Sequence, residues 1–398
     1  MGDISVTESA FDFSASHDVL DRYVEKELIA GANAAVLKGQ DVLDIYATGK
    51  ADIAGDIDMG VDTIFRAYSN TKLMTAISVM MLFEEGKLGL DDPIETWIPQ
   101  LGNRKVFKAD AKDMSDVEDA ERSITPRHLL THSSGLSYGI FDPGTQIFDA
   151  YAAKGVSDVS QPLSGMMDAL EGIPLGYQPG TSWSYSLATD VLGYLVQVIN
   201  DKPFDEVLQE RLWTPLEMVD TGFELPAEKE HRLAKLYLGA DMAQPMLSGL
   251  TESPIFMAFD YSSRPVRPSG GGGTVSTLPD MIKLVQSFLP GGKDLLKRET
   301  RDLMMQNHLP DGQFVSFAGV GEVPGLGHGL GASVKIAAQP GESASVVGEY
   351  HWGGIAGTHW WINMELGVAG LNMAQREMGF WHPFSAEHKA AIYATMTA

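Results

Sequence analysis

An apolar run from Ile77 to Phe83 follows directly on a polar stretch that contains Ser69 and Lys72. We predict that the run is a buried helix, because it contains almost no polar side chains. Residues three apart share one face of a helix, so the Ser69 hydroxyl and the Lys72 amine are expected side by side. A buried amine that is kept neutral can activate a neighbouring hydroxyl as a nucleophile. The S-x-x-K pattern alone does not establish a catalytic pair. A serine and a lysine on the surface of the first turn of a core helix would give the same pattern.

The charge of the chain argues against polyanionic partners. It has 398 residues, with 53 acidic and 29 basic side chains and a formal net charge of -24. Such a chain repels phosphate backbones and anionic lipid surfaces, so we expect no nucleic-acid and no membrane partner. The sequence contains no cysteine, which excludes disulfides, thiolate metal sites and cysteine nucleophiles. We expect no metal and no cofactor, and a small molecule as the substrate.

The first residues do not resemble a secretory signal. Met1 to His17 carries three acidic side chains and has no apolar core segment. No stretch is apolar for long enough to span a bilayer. We therefore expect a cytoplasmic protein, although a periplasmic protein that had already lost its leader would look the same. The sequence fits a monomer and a homodimer equally.

Strand patterns occur at both ends of the chain and helical patterns in the middle. Near the start, Ser16 is a good cap for a helix, and a hairpin is predicted over 34–37 and 42–47. In the middle, Thr125 is predicted to cap a helix that has Pro126 at its first position. Further short strands are predicted near the end, over 332–336, 346–350, 360–364 and 368–373, with a closing helix over 387–396. This order predicts an α+β fold, an antiparallel β-sheet flanked by helices with a second, mostly helical domain. We assign residues 1–95 and 270–398 to the sheet domain and 96–269 to the helical domain.

Two stretches of the middle segment lack a clear period. Residues 105–122 are highly charged, and we interpret them as an exposed loop or lid. Residues 235–268 are rich in Pro, Ser and Met, and we expect them to line or cover a site. The aromatic and Met side chains of this stretch, with Trp352 and Trp360, suggest an apolar acyl pocket, although such residues more often form plain core.

Three further motifs accompany Ser69. Tyr185 stands on a polar loop just before an amphipathic helix, which would aim its phenol at a cleft or leave it at the edge of the core. His351-Trp352-Gly353-Gly354 contains paired glycines, which allow another backbone or a substrate to come close, or simply form a bulge. Leu130 to Leu136 forms a third motif, whose role the chemistry of its residues does not give.

Together these motifs resemble the serine β-lactamase and penicillin-binding-protein superfamily. Within it the likeness is greatest to class C β-lactamases and above all to family VIII carboxylesterases. The resemblance runs from about Ser16 to the C-terminus and depends on the order and spacing of Ser69-Asn70-Thr71-Lys72, Leu130 to Leu136, Tyr185-Ser186-Leu187, Gly270 to Gly273 and Trp352-Gly353-Gly354. It implies an antiparallel sheet flanked by helices, a mostly helical second domain and a site between them.

The resemblance also implies roles for individual residues. Ser69 would be the acylated nucleophile, and Lys72 with Tyr185 would relay its proton to the leaving group. The backbone N–H groups of Ser69 and Ile355 would form the oxyanion hole. The substrate would contact the positions equivalent to the ends of the second and third motifs, which are Leu187, Trp352, Gly353 and Gly354.

Two positions depart from the class C pattern. Leu187 stands where those enzymes have Asn, and Trp352 stands where they have Lys. Both changes remove polar groups that would contact a β-lactam, and they favour neutral esters of short to medium acyl chains. The alternatives are a β-lactamase or D-amino-acid amidase that uses the same site, and a ligand-binding protein that kept the fold without turnover.

A second serine motif competes with the first. Gly135-Leu136-Ser137-Tyr138-Gly139 has the G-x-S-x-G form of a nucleophile elbow. That motif requires a strand before the serine and a helix after it, and neither is predicted here.

The glycine run at 270–273 lacks the context of a phosphate-binding loop, so we interpret it as close backbone packing. His351 and His359 alone do not predict a metal site.

Overall fold

The computed structural model describes residues 4–109, 111–253, 259–317 and 319–397. The helices are α1 Ser14–Glu25, α2 Thr71–Glu84, α3 Pro126–Leu130, α4 Gln146–Lys154, α5 Leu163–Leu170, α6 Ala188–Asn200, α7 Phe204–Leu208, α8 Leu278–Gln286, α9 Arg298–Met304 and α10 Pro383–Met396. The strands are β1 Gly31–Lys38, β2 Asp41–Asp52, β3 Ile57–Asp58, β4 Ile64–Arg66, β5 Lys105–Phe107, β6 Val117–Asp119, β7 Tyr237–Gly239, β8 Leu250–Glu252, β9 Val275–Thr277, β10 Ser316–Phe317, β11 Gly321–Glu322, β12 Leu326–His328, β13 Ser333–Lys335, β14 Tyr350–Gly354, β15 Thr358–Asn363 and β16 Val368–Ala374.

The centre of the fold is an antiparallel sheet of eight strands in the order β12-β13-β14-β15-β16-β1-β2-β3. The last strand of the chain lies beside the first, with Ala34 opposite Asn372. The predicted α+β class and antiparallel sheet are confirmed. All eight strands fall within the two segments that we assigned to the sheet domain, while the domain boundaries themselves stay a prediction.

Helices cover both faces of this sheet. Successive side chains of a strand point to opposite faces, and in β1 both faces are buried. Ala34 packs in a cluster with α1 and with Phe384 of α10. Ala35 and Leu37 belong to the main core, which includes α2 and α8. The near-continuous apolar character of β1 therefore follows from its position between two helical layers.

The buried helix predicted after Ser69 is α2. Every side chain from Thr71 to Leu82 is buried, and the helix packs against α6. The glycine run lies beside this contact, where the Thr75 hydroxyl donates to the Gly270 carbonyl at 2.8 Å. A Cβ on Gly270 would lie 2.6 Å from the carbonyl oxygen of Thr189, which leaves no room for a side chain. The run therefore serves close backbone packing, as we expected.

Several local predictions were wrong in detail. The charged stretch 105–122 contains the short hairpin β5–β6, joined by an ion pair between Lys105 and Asp119, and its residue 110 lies outside the described residues. The strand predicted over 346–350 begins only at Tyr350, because Ala344–Val346 forms a 3₁₀ turn that Ser343 caps. The first helix begins at Ser14, and the Ser16 hydroxyl donates back to the carbonyl of Phe13.

The predicted cap of α3 is present. Thr125 accepts a hydrogen bond from the backbone of His128, whose ring accepts one from the Thr125 backbone, and Pro126 occupies the first turn.

Across the described ranges, no helix combines the length and the apolar character needed to cross a lipid bilayer.

The buried histidines should make the protein sensitive to mild acid. Burial lowers the pKa of His388 to about 3 and that of His328 to about 4, whereas an unfolded imidazole has a pKa of about 6.5. Below about pH 6.5 the unfolded chain therefore binds protons that the folded chain does not. We expect the free energy of unfolding, measured by urea titration at pH 7.5, 6.5 and 5.5, to fall as the pH is lowered.

The variant His388→Gln provides the control for this prediction. It removes one such group, so it should reduce the slope of stability against pH by up to about 1.4 kcal/mol per pH unit below pH 6. An amide can keep contact with Asn372, whose side chain lies 3.3 Å from the imidazole Nδ1. A stability that rises toward pH 5.5, or an identical slope in the variant, would contradict the assignment of a neutral buried imidazole.

Candidate active site

The structure brings Ser69, Lys72 and Tyr185 together. Ser69 lies in a 3₁₀ turn, Tyr68–Asn70, that leads directly into α2. The Ser69 hydroxyl is 2.6 Å from the Tyr185 hydroxyl, and the Lys72 amine donates to it at 3.2 Å. A phenol and an amine thus contact the hydroxyl, and both kinds of side chain serve as general acids or bases in enzymes. The helix N-terminus favours negative charge at this position.

The Lys72 side chain is enclosed, with an exposed fraction of only 1%. Its amine donates to the carbonyl of Gly271 at 2.6 Å as well as to Ser69. It also lies 4.7 Å from the centre of the Tyr185 ring and 5.5 Å from that of Tyr138. A carbonyl, a hydroxyl and two aromatic faces therefore fix the amine next to the nucleophile candidate.

Tyr185 is held by aromatic stacking and by the loop that carries it. Its ring stacks on Tyr138 at 5.2 Å between centroids and on Trp183 at 6.3 Å. The next residue, Ser186, donates its backbone N–H to Nδ1 of His132 at 3.3 Å. Burial lowers the pKa of His132 well below its ordinary value, so the imidazole is neutral and Nδ1 can accept. This gives the motif Leu130 to Leu136 a physical role that its sequence alone did not suggest.

The paired glycines bring β14 next to the turn that carries Ser69. A Cβ on Gly354 would lie 2.5 Å from the carbonyl oxygen of Ala67 and 2.4 Å from the Thr358 hydroxyl. Only a glycine therefore allows the strand this close approach. The following residue, Ile355, lines the same cavity as Ser69. Their backbone N–H groups as an oxyanion hole stay a prediction.

The position where class C enzymes have Lys is filled by a buried aromatic ring. Trp352 has an exposed fraction of 3% and lies 5.6 Å from Tyr185 and 5.5 Å from Phe380, between ring centroids. The neighbouring His351 does not replace the lost cation. Burial, reinforced by the charges of Lys389 and Lys335, holds the pKa of His351 well below its ordinary value.

A small aromatic cavity of about 30 Å³ surrounds the Ser69 hydroxyl. Of the predicted site residues, five line it: Ser69, Tyr185, Trp352, Gly353 and Ile355. Lys72 and Gly354 lie behind its wall. Leu187 does not line it either, because Leu187 precedes α6 and donates its N–H to the carbonyl of Ser137 at 3.1 Å.

Most of the aromatic wall was not predicted. The additional aromatic residues are Tyr68, Tyr138, Phe141, Phe259, Phe317, Phe380 and Trp381. Phe259 belongs to the stretch that we expected to line a site, of which residues 254–258 lie outside the described residues. For Trp360 the alternative of plain core is the one observed, because its ring packs on Tyr350 in the core. The other rings carry no local motif, apart from Tyr68, which directly precedes Ser69, and Tyr138, which lies within the Gly135 to Gly139 stretch.

The competing serine lies in a different setting. Ser137 is buried, and its hydroxyl donates to Asp142 at 2.5 Å and accepts from the backbone of Gly139. It follows α3 and precedes a turn, so it lacks the strand and helix of a nucleophile elbow.

Across the described ranges, no group of three or more His, Asp or Glu side chains could hold a metal ion.

Comparison with known proteins identifies the family of this chain. The sequence profile of the Beta-lactamase family matches residues 17–392. The chain belongs to the Beta-lactamase family. It is 32% identical over 343 residues to Protein Rv1367c of Mycobacterium tuberculosis, a match that covers 84% of this chain and 82% of that protein. It is 28% identical over 392 residues to Esterase EstB of Burkholderia gladioli, with 94% of each chain covered.

Solved structures with the same fold include enzymes of two activities. EstCE1, described as a hydrolase with promiscuous acyltransferase activity, has a TM-score of 0.78 and 24% identity over 96% of this chain and 98% of its own. Simvastatin synthase LovD of Aspergillus terreus has a TM-score of 0.79 and 23% identity over 97% and 99% of the two chains. At these identities the likeness establishes the fold, and the predicted β-lactamase-like architecture is confirmed.

The close approach of β14 to the Ser69 turn gives a testable prediction. In Gly354→Ala the new methyl group would overlap Ala67 and Thr358, so β14 must move away from Ser69. We expect ester hydrolysis to fall by at least about tenfold in kcat, since small displacements of reacting groups are costly. The measurement is steady-state hydrolysis of p-nitrophenyl butyrate by variant and wild type.

The matched control is Gly176→Ala. Its added Cβ would meet only the carbonyl oxygen of Gly135, at an ordinary contact distance of 3.6 Å. This variant should keep the activity of the wild type. If Gly354→Ala were as active as Gly176→Ala, the close contact between the strand and the turn would have no part in catalysis.

Proposed function

We propose that the protein is a carboxylesterase that acts through an acyl-enzyme on Ser69. The observation that carries the proposal is the hydroxyl of Ser69 lying 2.6 Å from the phenol of Tyr185 and 3.2 Å from the amine of Lys72. The family membership and the esterases among the relatives support a serine hydrolase. The roles of the individual residues are part of the proposal.

In the acylation step the Ser69 oxygen attacks the carbonyl carbon of the ester. Its proton passes to the Tyr185–Lys72 pair as the new C–O bond forms. The negative charge on the carbonyl oxygen would be stabilised by the N–H groups of Ser69 and Ile355. The bond to the alcohol oxygen then breaks, and Tyr185 returns the proton to that oxygen. The products are a free alcohol and an ester between the acyl group and Ser69.

In the second step a water molecule takes the place of the alcohol. The Tyr185–Lys72 pair accepts a proton from the water, and the hydroxide attacks the acyl carbon. When the C–O bond to Ser69 breaks, the proton returns to the serine oxygen and the carboxylic acid is released. Transfer of the acyl group to an alcohol would be the acylation step in reverse. The alcohol gives its proton to the Tyr185–Lys72 pair and attacks the acyl carbon, and the proton returns to the Ser69 oxygen as its C–O bond breaks. This second candidate is favoured by relatives named as acyltransferases, such as calJ of Penicillium decumbens.

The walls of the site favour neutral esters over β-lactams. Trp352 replaces a cation that would hold a carboxylate, and His351 is kept neutral by burial. A site that lacks these polar groups loses on the order of 1–3 kcal/mol for each hydrogen bond that a β-lactam would have made. Hydrolysis of β-lactams or D-amino-acid amides is therefore a weaker alternative for the same machinery.

The choice of nucleophile can be tested with two serine variants. We expect Ser69→Ala to lose at least about 1,000-fold in the hydrolysis of p-nitrophenyl butyrate, because no other group can form the acyl-enzyme. Ser137→Ala, the variant of the competing motif, should stay within about tenfold of wild type. Circular dichroism would establish that both variants are folded.

A fluorophosphonate probe extends this test to the non-enzymatic alternative. The probe should label wild type and Ser137→Ala but not Ser69→Ala. If hydrolysis and labelling were lost only in Ser137→Ala, the nucleophile would be Ser137 and not Ser69. A wild type that neither turns over esters nor accepts the probe would favour a binding protein that has kept the fold.

The proton relay predicts a specific effect of removing one hydroxyl. In Tyr185→Phe the ring can keep its stacking on Tyr138 and Trp183, while the phenol that contacts Ser69 is lost. We expect kcat for p-nitrophenyl butyrate to fall by about 100- to 10,000-fold. Tyr194→Phe, in a half-buried position of α6, is the matched control and should be fully active. A fully active Tyr185→Phe would remove Tyr185 from the mechanism.

A further inference from the structure

A buried carboxylate lies near Lys72 and takes no part in the steps proposed above. Asp190 is 3% exposed and stands in the first turn of α6, on the helix that follows Tyr185. It lines neither the small cavity beside Ser69 nor a larger cavity, of about 540 Å³, that Tyr185 also borders. Buried charges are kept where they are paired or hydrogen-bonded, so the partners of this carboxylate indicate what it does.

Asp190 and Lys72 bind the same residue of the glycine run. Oδ1 of Asp190 accepts from the Ser269 hydroxyl at 2.6 Å and from the Gly271 N–H at 3.4 Å. The Gly271 carbonyl in turn accepts from the Lys72 amine at 2.6 Å. The carboxylate therefore holds the backbone that holds the amine, and the amine contacts the Ser69 hydroxyl.

The carboxylate and the amine are also close enough to attract each other. The point where a Cβ on Gly271 would lie is 2.7 Å from Oδ2 of Asp190 and 3.3 Å from Nζ of Lys72. The two atoms are therefore no farther apart than the sum of these distances, 6.0 Å. Opposite charges at such a separation attract each other much more strongly in a protein interior than in water.

The neighbouring phenol and imidazole groups do not supply this negative charge. The titratable groups that face Lys72 from the elements around it are Tyr138, Tyr185, His132 and Asp190. Burial raises the pKa of Tyr138 well above its ordinary value and lowers that of His132 well below its own, so both side chains are uncharged. Tyr185 presents the face of its ring to the amine. The carboxylate of Asp190 is therefore the counter-charge that the amine has.

A second buried cation lies within reach of the same carboxylate. Arg267 is 5% exposed, and it donates to the carbonyls of Val156 and Gln161 at 2.7 and 3.1 Å. Burial lowers the pKa of Arg267, and the negative charge of Asp190 opposes this effect. Two hydrogen-bond donors and two cations thus surround the carboxylate, which is the setting in which a protein interior tolerates a charge.

We propose that Asp190 is a positioning residue of the site, which holds the Gly271 backbone against Lys72 and balances the charge of the amine. The proposal rests on the esterase function proposed above. Asp190 touches neither Ser69 nor the cavities, so it acts only through the amine. It keeps the amine beside the nucleophile and sets the pH at which the Tyr185–Lys72 pair is ready to accept a proton.

Asp190→Asn tests the positioning role, because an amide oxygen can still accept from Ser269 and Gly271 while the charge is lost. We expect kcat for p-nitrophenyl butyrate to fall by at least about tenfold, since the amine is held less firmly beside Ser69. KM should stay within about twofold of wild type, because Asp190 does not line the cavities.

The pH profile provides a readout that a purely structural role would not change. A general base works in its deprotonated form, so kcat/KM falls at acidic pH as the Tyr185–Lys72 pair takes up a proton. A nearby negative charge favours the protonated amine, and removing it makes the proton easier to lose. In Asp190→Asn the acidic limb of kcat/KM should therefore move to lower pH, by about half a pH unit or more.

The matched control is Asp280→Asn. Asp280 is 1% exposed and stands in the first turn of α8, where it accepts from the Thr221 hydroxyl at 2.9 Å and from the Asp220 N–H at 2.8 Å. It has the same kind of setting as Asp190 but lines neither cavity. This variant should keep the kcat and the acidic limb of the wild type. Circular dichroism at each pH would establish that all variants are folded.

The inference fails if Asp190→Asn is as active as Asp280→Asn. It equally fails if kcat falls in Asp190→Asn while the acidic limb stays at the pH of the wild type. If Asp190→Asn did not fold, Ser269→Ala would decide, because it keeps the carboxylate and removes the hydroxyl that holds it. That variant should lose at least about threefold in kcat at an unchanged KM, and a wild-type kcat would overturn the inference.

Failure of this inference is distinguishable from failure of the esterase proposal. A wild type that hydrolyses no p-nitrophenyl ester and is not labelled by the fluorophosphonate probe would overturn the esterase function itself. A wild type that is an active esterase, with an Asp190→Asn variant that matches its kcat and its pH profile, would overturn the inference alone.

Discussion

The site depends on the hydrogen bonds that one buried amine makes to Ser69 and Gly271. Lys72 is 1% exposed, and a buried polar group without partners would cost several kcal/mol. The carbonyl of Gly271 reaches the amine only because this position has no side chain. A Cβ there would lie 3.3 Å from the Lys72 amine and 2.7 Å from a carboxylate oxygen of Asp190. The glycine run therefore ties α2 to α6 and brings a buried amine and a buried carboxylate next to the same glycine.

The elements predicted with success are those whose sequence pattern is long or capped. The apolar run of α2 and the Thr125-Pro126 start of α3 are examples, and the last strand of the sheet is another. The elements that were missed are very short. The hairpin β5–β6 has strands of three residues each, too short for an alternating pattern to show. Its pairing depends on contacts between residues far apart in the chain.

The candidate site divides in a similar way. Ser69, Lys72 and Tyr185 could be named from the sequence because they occur in motifs of fixed spacing. The wall of the cavities could not, since its rings come from loops that are distant in the chain and carry no shared pattern. Phe317 of β10 is one such ring, and Trp381, just before α10, is another. Burial of aromatic surface is non-directional, so the packing that selects these rings appears only in three dimensions.

The order of the strands has a consequence for biosynthesis. β1 pairs on one side with β2 and on the other with β16, whose residues are synthesised long after those of β1. Until β16 leaves the ribosome, one edge of an apolar strand has no partner, and such an edge can pair with other chains. Contacts between distant residues also slow folding. The first hairpin of the nascent chain therefore keeps one unpaired edge until β16 has been made, and during that time the edge is open to misassembly.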